Sequence, residues 1–163
     1  MKTKIQDFSE HFLLPGKRFV LKQFLFIVLA GVLVAVVSCK DEETPDPNVI
    51  FKAVINGASE VPANASTATG TATLTFNSDT KIFSIVVNYS GVTASNSHIH
   101  KAAAGVGGGV VFGFTQPITS PINFTSAVLD STQQADLNAN LYYVNIHSTQ
   151  YPGGEIRGQL LKQ

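Results

Sequence analysis

The sequence has no tryptophan, one cysteine, and a formal net charge of zero, with charged residues making up only 13% of its 163 residues. A single cysteine excludes a disulfide within the chain. From residue 39 onward nine acidic residues stand against six basic ones, so no basic surface is expected and nucleic acid is not an expected partner. The chain also lacks an internal repeat of about 20 to 50 residues, which argues against a solenoid.

The first 38 residues differ in composition from the rest of the chain. Five basic and two acidic residues precede or flank the start of the apolar run FLFIVLAGVLVAVVS. This order is typical of an export signal, and the apolar part, residues 24–37, is short for a helix that crosses a bilayer. We therefore predict that residues 1–38 are a targeting segment and not part of the fold.

The end of this segment, Val36-Val37-Ser38-Cys39, resembles a bacterial lipobox, in which the cysteine becomes the new N-terminus and carries lipid. The resemblance implies that Cys39 anchors the protein to a membrane; an ordinary signal peptide with an incidental cysteine is the alternative. Residues 39–48 are charged and contain proline, which predicts a solvated tether. Their KDEE run resembles a sorting signal for the outer face of the outer membrane, although any solvated linker would look similar.

Residues 49–163 follow a period of two, which is typical of strands. Apolar and polar residues alternate in TATLTF and IFSIVVNY on either side of NSDT, which predicts an antiparallel hairpin. Further strands are predicted at 49–55, 97–101, 110–115, 122–129, 141–147 and 155–161, with one short helix capped by Ser131 or Thr132. Many short strands without βαβ alternation predict an all-β fold, a single antiparallel Greek-key or immunoglobulin-like β-sandwich.

Three histidines on predicted strands are candidate metal ligands. His98 and His100 are two residues apart, so they leave the same face of a strand with Cα atoms roughly 6.5 to 7 Å apart, and His147 ends another strand. Such a set suits zinc or copper with one open position, and Asp136 or Glu155 could complete or support it. The alternative is structural, with the imidazoles hydrogen-bonded to backbone and polar side chains.

Two further features have a structural and a functional interpretation. The Gly/Ala-rich stretch 102–109 is not a phosphate loop, because a strand follows it and no G-K-[ST] is present; a tight turn fits better. On the last strand Glu155 and Arg157 share a face, either as an exposed ion pair or with Arg157 steering an anion or partner toward the histidines. Tyr142 and Tyr143 are expected to pack on opposite faces of their strand.

Three stretches together resemble a known family: SHIH with its Gly/Ala-rich loop, ADL at 135–137, and YYVNIHS running into PGGEIRGQL. They are similar to the CHRD domain, named for its repeats in the secreted morphogen antagonist chordin and also found in microbial exported proteins. The resemblance covers nearly all of residues 49–161 and implies an extracytoplasmic β domain without an established enzymatic activity. The chain departs from the family pattern after HIH, where Lys101-Ala102 stands.

A looser similarity is to the copper/zinc superoxide dismutases. Those enzymes also place a His-x-His on a strand of a Greek-key sandwich and an arginine near a Gly-rich C-terminus. This chain has only three histidines after residue 38 and no pair of cysteines, so a full bimetallic site cannot be assembled.

These observations predict a lipid-anchored protein of the bacterial outer membrane or cell surface whose CHRD-like domain binds an unidentified protein or surface partner without catalysis. The alternative is an envelope domain that binds zinc or copper, with redox activity as one version, through His98, His100 and His147. No nucleophile with an adjacent base can be named, so the sequence favours a binding protein over an enzyme.

Overall fold

The computed structural model describes residues 44–163, which contain nine strands and one short α-helix. The elements are β1 (Asn48–Asn56), β2 (Thr69–Asn77), β3 (Ile82–Ser90), β4 (Asn96–Lys101), β5 (Gly109–Gly113), β6 (Ile122–Thr125), α1 (Ser131–Asn138), β7 (Tyr142–His147), β8 (Ile156–Gln159) and β9 (Leu161–Lys162), with a 3-10 turn at Gly57–Ser59. The predicted export signal, Cys39 and residues 40–43 of the tether lie outside the described residues. In residues 44–163 no helix is long and apolar enough to span a bilayer.

The strands form one antiparallel sheet in the order β5-β4-β7-β8-β1-β2-β3-β6, with β9 paired to β1. The sheet curls over its own inner face, so that side chains from its two ends meet: the rings of Phe83 (β3) and Phe112 (β5) lie 5.2 Å apart, and those of Phe112 and Phe124 (β6) 6.3 Å apart. The predicted all-β antiparallel fold is confirmed. The two layers of the expected sandwich are the two halves of this single sheet.

The predicted hairpin is β2 and β3, paired without interruption from Thr69↔Ser90 to Asn77↔Ile82. Asn77 closes the turn, because its side-chain oxygen accepts hydrogen bonds from the backbone N–H groups of Asp79 (3.1 Å) and Thr80 (2.9 Å). Burial alternates along both strands as the period of two predicts. The buried positions form a core with residues of the other half of the sheet.

Several strands end earlier than predicted. β6 stops at Thr125 because the next residue, Ser126, offers its hydroxyl instead of a carbonyl to the N–H of Phe83, at 3.0 Å. β5 stops at Gly113, and the last predicted strand is split into β8, which pairs with β7, and β9, which pairs with β1. Leu160, between β8 and β9, is fully buried in the core.

The helix α1 begins at Ser131, but its N-cap is Asp130, so the predicted cap at Ser131 or Thr132 is wrong. The Asp130 carboxylate accepts the backbone N–H of Gln133 at 2.8 Å, and the Gln133 side chain accepts the backbone N–H of Asp130 at 3.1 Å. This capping box satisfies two backbone donors at once. A carboxylate at this end of a helix also interacts favourably with the helix dipole.

Candidate metal centre

The outer face of β4, β7 and β8 is a layer of polar side chains that is largely shielded from solvent. The strand register aligns them in two rows, in which His98 lies opposite Asn145 and Asn145 opposite Arg157, while His100 lies opposite Tyr143 and Tyr143 opposite Gln159. We call the following set the polar layer: His98, His100, Tyr143, Asn145, His147, Arg157 and Gln159. The opposite faces of the same strands contribute apolar side chains to the core, so β7 is buried on both sides.

Three loops, residues 57–68, 102–108 and 148–154, lie over the polar layer, and the last two supply hydrogen-bond partners to it. Arg157 donates to the carbonyl of Ala103 at 3.3 Å, and the Gln159 amide donates to that of Ala102 at 3.0 Å. His147 contacts the carbonyl of Pro152 at 3.0 Å. The polar layer can therefore be buried because loop carbonyls replace water as acceptors.

The three predicted histidine ligands come together at one end of this layer. One ring nitrogen of each lies within 4.8 Å of those of the other two. Nδ1 of His98 is 3.3 Å from Nε2 of His147, so the two rings share a hydrogen bond in the metal-free site. The same distance is close to the spacing of about 3.3 Å expected for two nitrogens that share a tetrahedral zinc at about 2.0 to 2.1 Å. Gly113 lies opposite His98 on β5, and a Cβ there would be 3.9 Å from Cδ2 of this imidazole, an ordinary van der Waals distance.

Backbone carbonyls fix which nitrogen of two of these histidines carries the proton. Nδ1 of His100 is 2.9 Å from the carbonyl oxygen of Gly108, and Nδ1 of His147 is 3.0 Å from that of Pro152. A carbonyl oxygen only accepts hydrogen bonds, so each Nδ1 donates and each neutral ring keeps its lone pair on Nε2. Nε2 of His100 is buried and has no hydrogen-bond partner among the described residues. Proteins orient metal-binding histidines by such bonds.

The environment favours the neutral form of two of the imidazoles. Burial lowers the pKa of His98 below its ordinary value of 6.5, and the neighbouring His147 and His100 lower it further. Burial also lowers the pKa of His100, although the hydrogen bond to Gly108 opposes this shift. Metals bind the unprotonated imidazole, so both side chains are in the ligand form at neutral pH.

His100 is packed against an aromatic ring and is only 9% exposed. Its imidazole stacks on Tyr143, with ring centroids 5.0 Å apart and planes 12° apart, and Cζ of Arg157 lies 3.4 Å from the centroid of the same tyrosine. The guanidinium is thus held by a cation–π contact beneath loop 102–108. Tyr142 lies on the other face of β7 in the core, which confirms the prediction that the two tyrosines pack on opposite faces.

The predicted exposed ion pair between Glu155 and Arg157 is wrong. Both side chains are buried, at 7% and 2% exposure, and Glu155 accepts a hydrogen bond from the hydroxyl of Ser66 at 2.7 Å. Asp136, on α1, forms an ion pair with Lys101 at 2.6 Å. Glu155 and Asp136 therefore lie outside the cluster of converging ligand atoms, which within residues 44–163 consists of the three histidines.

Sequence reasoning missed Glu60, a carboxylate from loop 57–68 that is 7% exposed. Its Oε1 and Oδ1 of Asn145 are both buried without a hydrogen-bond partner among the described residues. They lie 2.5 and 2.7 Å from the position that a Cβ on Gly154 would occupy, and the φ of Gly154 is +136°, which other residues rarely adopt, so this position favours glycine. Burial raises the pKa of Glu60, against the hydrogen bond from Val61 and the charge of Arg157, which lower it. No spacing in the sequence marks this position.

These observations define an all-β domain whose curled sheet carries a buried polar layer and a cluster of three histidines. Residues 51–160 match the family model of the CHRD domain, more than half of the chain, and the protein belongs to the CHRD family. The matched residues include the three histidines, Tyr143 and Arg157. Neither a curated protein nor a solved structure gives a match to the chain.

Proposed function

We propose that this protein is a lipid-anchored, exported CHRD-domain protein that functions by binding, and that its domain holds a zinc or copper ion between His98, His100 and His147. The observation that carries the metal site is the convergence of one nitrogen from each imidazole within 4.8 Å, with two of the rings oriented by backbone carbonyls. Membership of the CHRD family supports a binding module.

The energetics of the metal-free site support this proposal. A buried polar atom without a hydrogen-bond partner costs about 1 to 3 kcal/mol, and Nε2 of His100 is such an atom. A metal ion would accept this lone pair together with those of the other two rings. Imidazole nitrogens suit zinc and copper, and three protein ligands leave one coordination position for water or another ligand.

Metal analysis of the full-length protein, purified in detergent, tests the site. The protein is stripped of metal, offered zinc and copper separately, dialysed and measured by ICP-MS. We expect near-stoichiometric metal in the wild type and background metal in the triple variant His98→Gln/His100→Gln/His147→Gln. The control is Lys52→Gln on the exposed face of β1, which should retain the metal. The remaining histidine, His11, cannot serve as a control because the proposed processing before Cys39 removes it. Background metal in the wild type would contradict the proposal.

The lipid anchor is supported by the order of a basic segment, an apolar run and Cys39, and by the tether before β1. The KDEE run after Cys39 supports the outer membrane or cell surface as the location. We expect Cys39→Ala to move the protein out of the lipid-modified membrane fraction, measured by fractionation and by metabolic labelling with a fatty acid. Unchanged labelling in this variant would show that the anchor is wrong.

A second candidate function, binding of a partner protein by the sheet surface, is favoured by the outer side of β1 and β9. Val54 and Leu161 are 72% and 50% exposed and line one groove. Exposed apolar side chains that share a groove are typical of interaction sites. Crosslinking on intact cells tests it: an adduct lost in Val54→Lys and kept in the triple histidine variant would favour this function, and an adduct lost only in the histidine variant would exclude it.

A further inference from the structure

We infer that Gly108 and Tyr143 are positioning residues of the metal centre, which hold His100 with its Nε2 directed at the ion; this inference rests on the proposed metal site. Gly108 forms hydrogen bonds with both of its backbone groups. Its carbonyl accepts the Nδ1–H of His100 at 2.9 Å, and its N–H donates to the hydroxyl of Tyr143 at 3.0 Å. The ring of Tyr143 in turn stacks on His100. The three residues therefore form a closed set of contacts around one imidazole.

The loop that carries Gly108 has no polar side chain with which to hold itself in place. Residues 102–108 are AAAGVGG, so the loop depends on its backbone. Arg157 and Gln159 bind two of its carbonyls, and Tyr143 binds its last N–H. Side chains of the polar layer thus hold the loop in position. The loop in turn keeps the proton of His100 on Nδ1 through the carbonyl of Gly108.

Only glycine fits at position 108. A Cβ there would lie 1.9 Å from the carbonyl oxygen of Lys101, a backbone atom that cannot move without shifting β4. At Gly107 and Gly109 a Cβ would meet nothing within 4 Å. The close approach of loop and strand at Gly108 is what brings its carbonyl within reach of His100.

The physical consequence concerns the tautomer of His100. Without an acceptor for Nδ1–H, a neutral imidazole can carry its proton on either nitrogen. In the Nε2–H form the lone pair is on Nδ1, so Nε2 has none to offer the metal. Partners that orient metal-binding histidines are typically worth 10- to 100-fold in metal affinity. Loss of the Tyr143 hydroxyl leaves Gly108 held only by His100, so we expect an effect of roughly 10-fold.

The test compares Tyr143→Phe with Tyr89→Phe in the full-length protein. Tyr143→Phe keeps the ring and removes only the hydroxyl. Tyr89→Phe is a matched control, because its hydroxyl also bonds to the backbone, to the carbonyl of Ile118 at 3.0 Å, but on β3. The first readout is the His100 tautomer in the metal-free protein by 15N NMR; the second is the dissociation constant for zinc.

We expect the Nδ1–H tautomer of His100 in the wild type and in Tyr89→Phe, and a mixture of tautomers with roughly 10-fold weaker zinc binding in Tyr143→Phe. Unchanged tautomer and affinity in a folded Tyr143→Phe would overturn the inference. If the wild type binds no zinc, the proposed metal function fails, and the tautomer difference still decides whether Tyr143 positions His100. Should Tyr143→Phe not fold, Gly108→Ala replaces it, with the same expected mixture and Gly107→Ala as its control.

Discussion

The outer faces of the two halves of the sheet differ in their exposure to solvent. On β1, β2 and β3 the outward side chains, such as Lys52, Thr73 and Val86, are exposed. On β7 and β8 the outward Tyr143 and Arg157 are 3% and 2% exposed because three loops lie over them. Both halves share one apolar core on the inner face.

The comparison shows where the molecule bears the cost of burying polar groups. An exposed polar side chain on β1–β3 is satisfied by water, whereas each polar atom of the covered half needs a partner from the protein. Most have one, but Nε2 of His100, Oδ1 of Asn145 and Oε1 of Glu60 do not. One further buried atom among residues 44–163, the hydroxyl of Tyr142 on the core face of β7, also has no partner. Three of these four atoms, all except the Tyr142 hydroxyl, are in or against the polar layer. The nitrogen is part of the candidate metal centre.

The largest difference in stability between the halves is expected when one long cationic side chain on each outer face is replaced by methionine. Arg157→Met removes a buried charged donor from the carbonyl of Ala103, which keeps only the N–H of Val106, and removes the cation from the ring of Tyr143. We therefore expect a loss of about 2 to 3 kcal/mol in the free energy of unfolding. Lys52→Met, on exposed β1, should change it by less than about 0.5 kcal/mol. Urea denaturation measures both. Equal losses would show that the covered half does not depend on its polar contacts.

A smaller difference is expected between adjacent glycines of loop 102–108. Gly108→Ala forces a shift against the backbone of Lys101, which we expect to cost about 1 to 3 kcal/mol. Gly107→Ala meets no atom within 4 Å, so its stability should be unchanged or higher by up to about 1 kcal/mol through the unfolded state. Thermal and urea unfolding of the two variants check this. A stable Gly108→Ala would mean that the loop does not lie against β4.

The smallest effect is expected on the pH dependence of the free energy of unfolding of the metal-free protein. The pKa values of His98 and His100 are lowered in the fold, so the unfolded chain takes up protons first as the pH falls below about 6.5. The histidine contribution to stability is therefore present above this pH and is lost as the pH falls through the folded pKa values. We expect the double variant His98→Gln/His100→Gln to lose less stability than the wild type over this range.

Glu60 changes the pH dependence of stability in the opposite direction, because its pKa is raised above 4.5 in the fold. Its contribution is present below 4.5 and is lost as the pH rises through its folded pKa. The free energy of unfolding, measured by urea denaturation as a function of pH, separates the two effects, because only the histidine effect depends on His98 and His100. The same acid sensitivity in the wild type and in the double histidine variant would contradict the assigned burial of the imidazoles.

The sequence alone predicted the elements that depend on local pattern. The period of two identified the β2–β3 hairpin, and the spacing of His98 and His100 placed both imidazoles on one face. It failed where neighbours distant in the chain decide the outcome. Glu155 and Arg157 were expected to be an exposed pair because alternation cannot tell a solvent-facing side from one that a loop covers. Glu60 carried no signal because it meets Asn145 only through the fold.

What the sequence by itself determined is the class of the domain, its antiparallel strands, its family and the three candidate ligands, because these follow from local periodicity and from motifs that are contiguous in the chain. The tertiary structure decided that His147 meets His98, that loops shield the polar layer, and that Gly108 faces His100. These contacts join segments separated by up to about a hundred residues, and only the curl and pairing of the whole sheet bring them within hydrogen-bond distance.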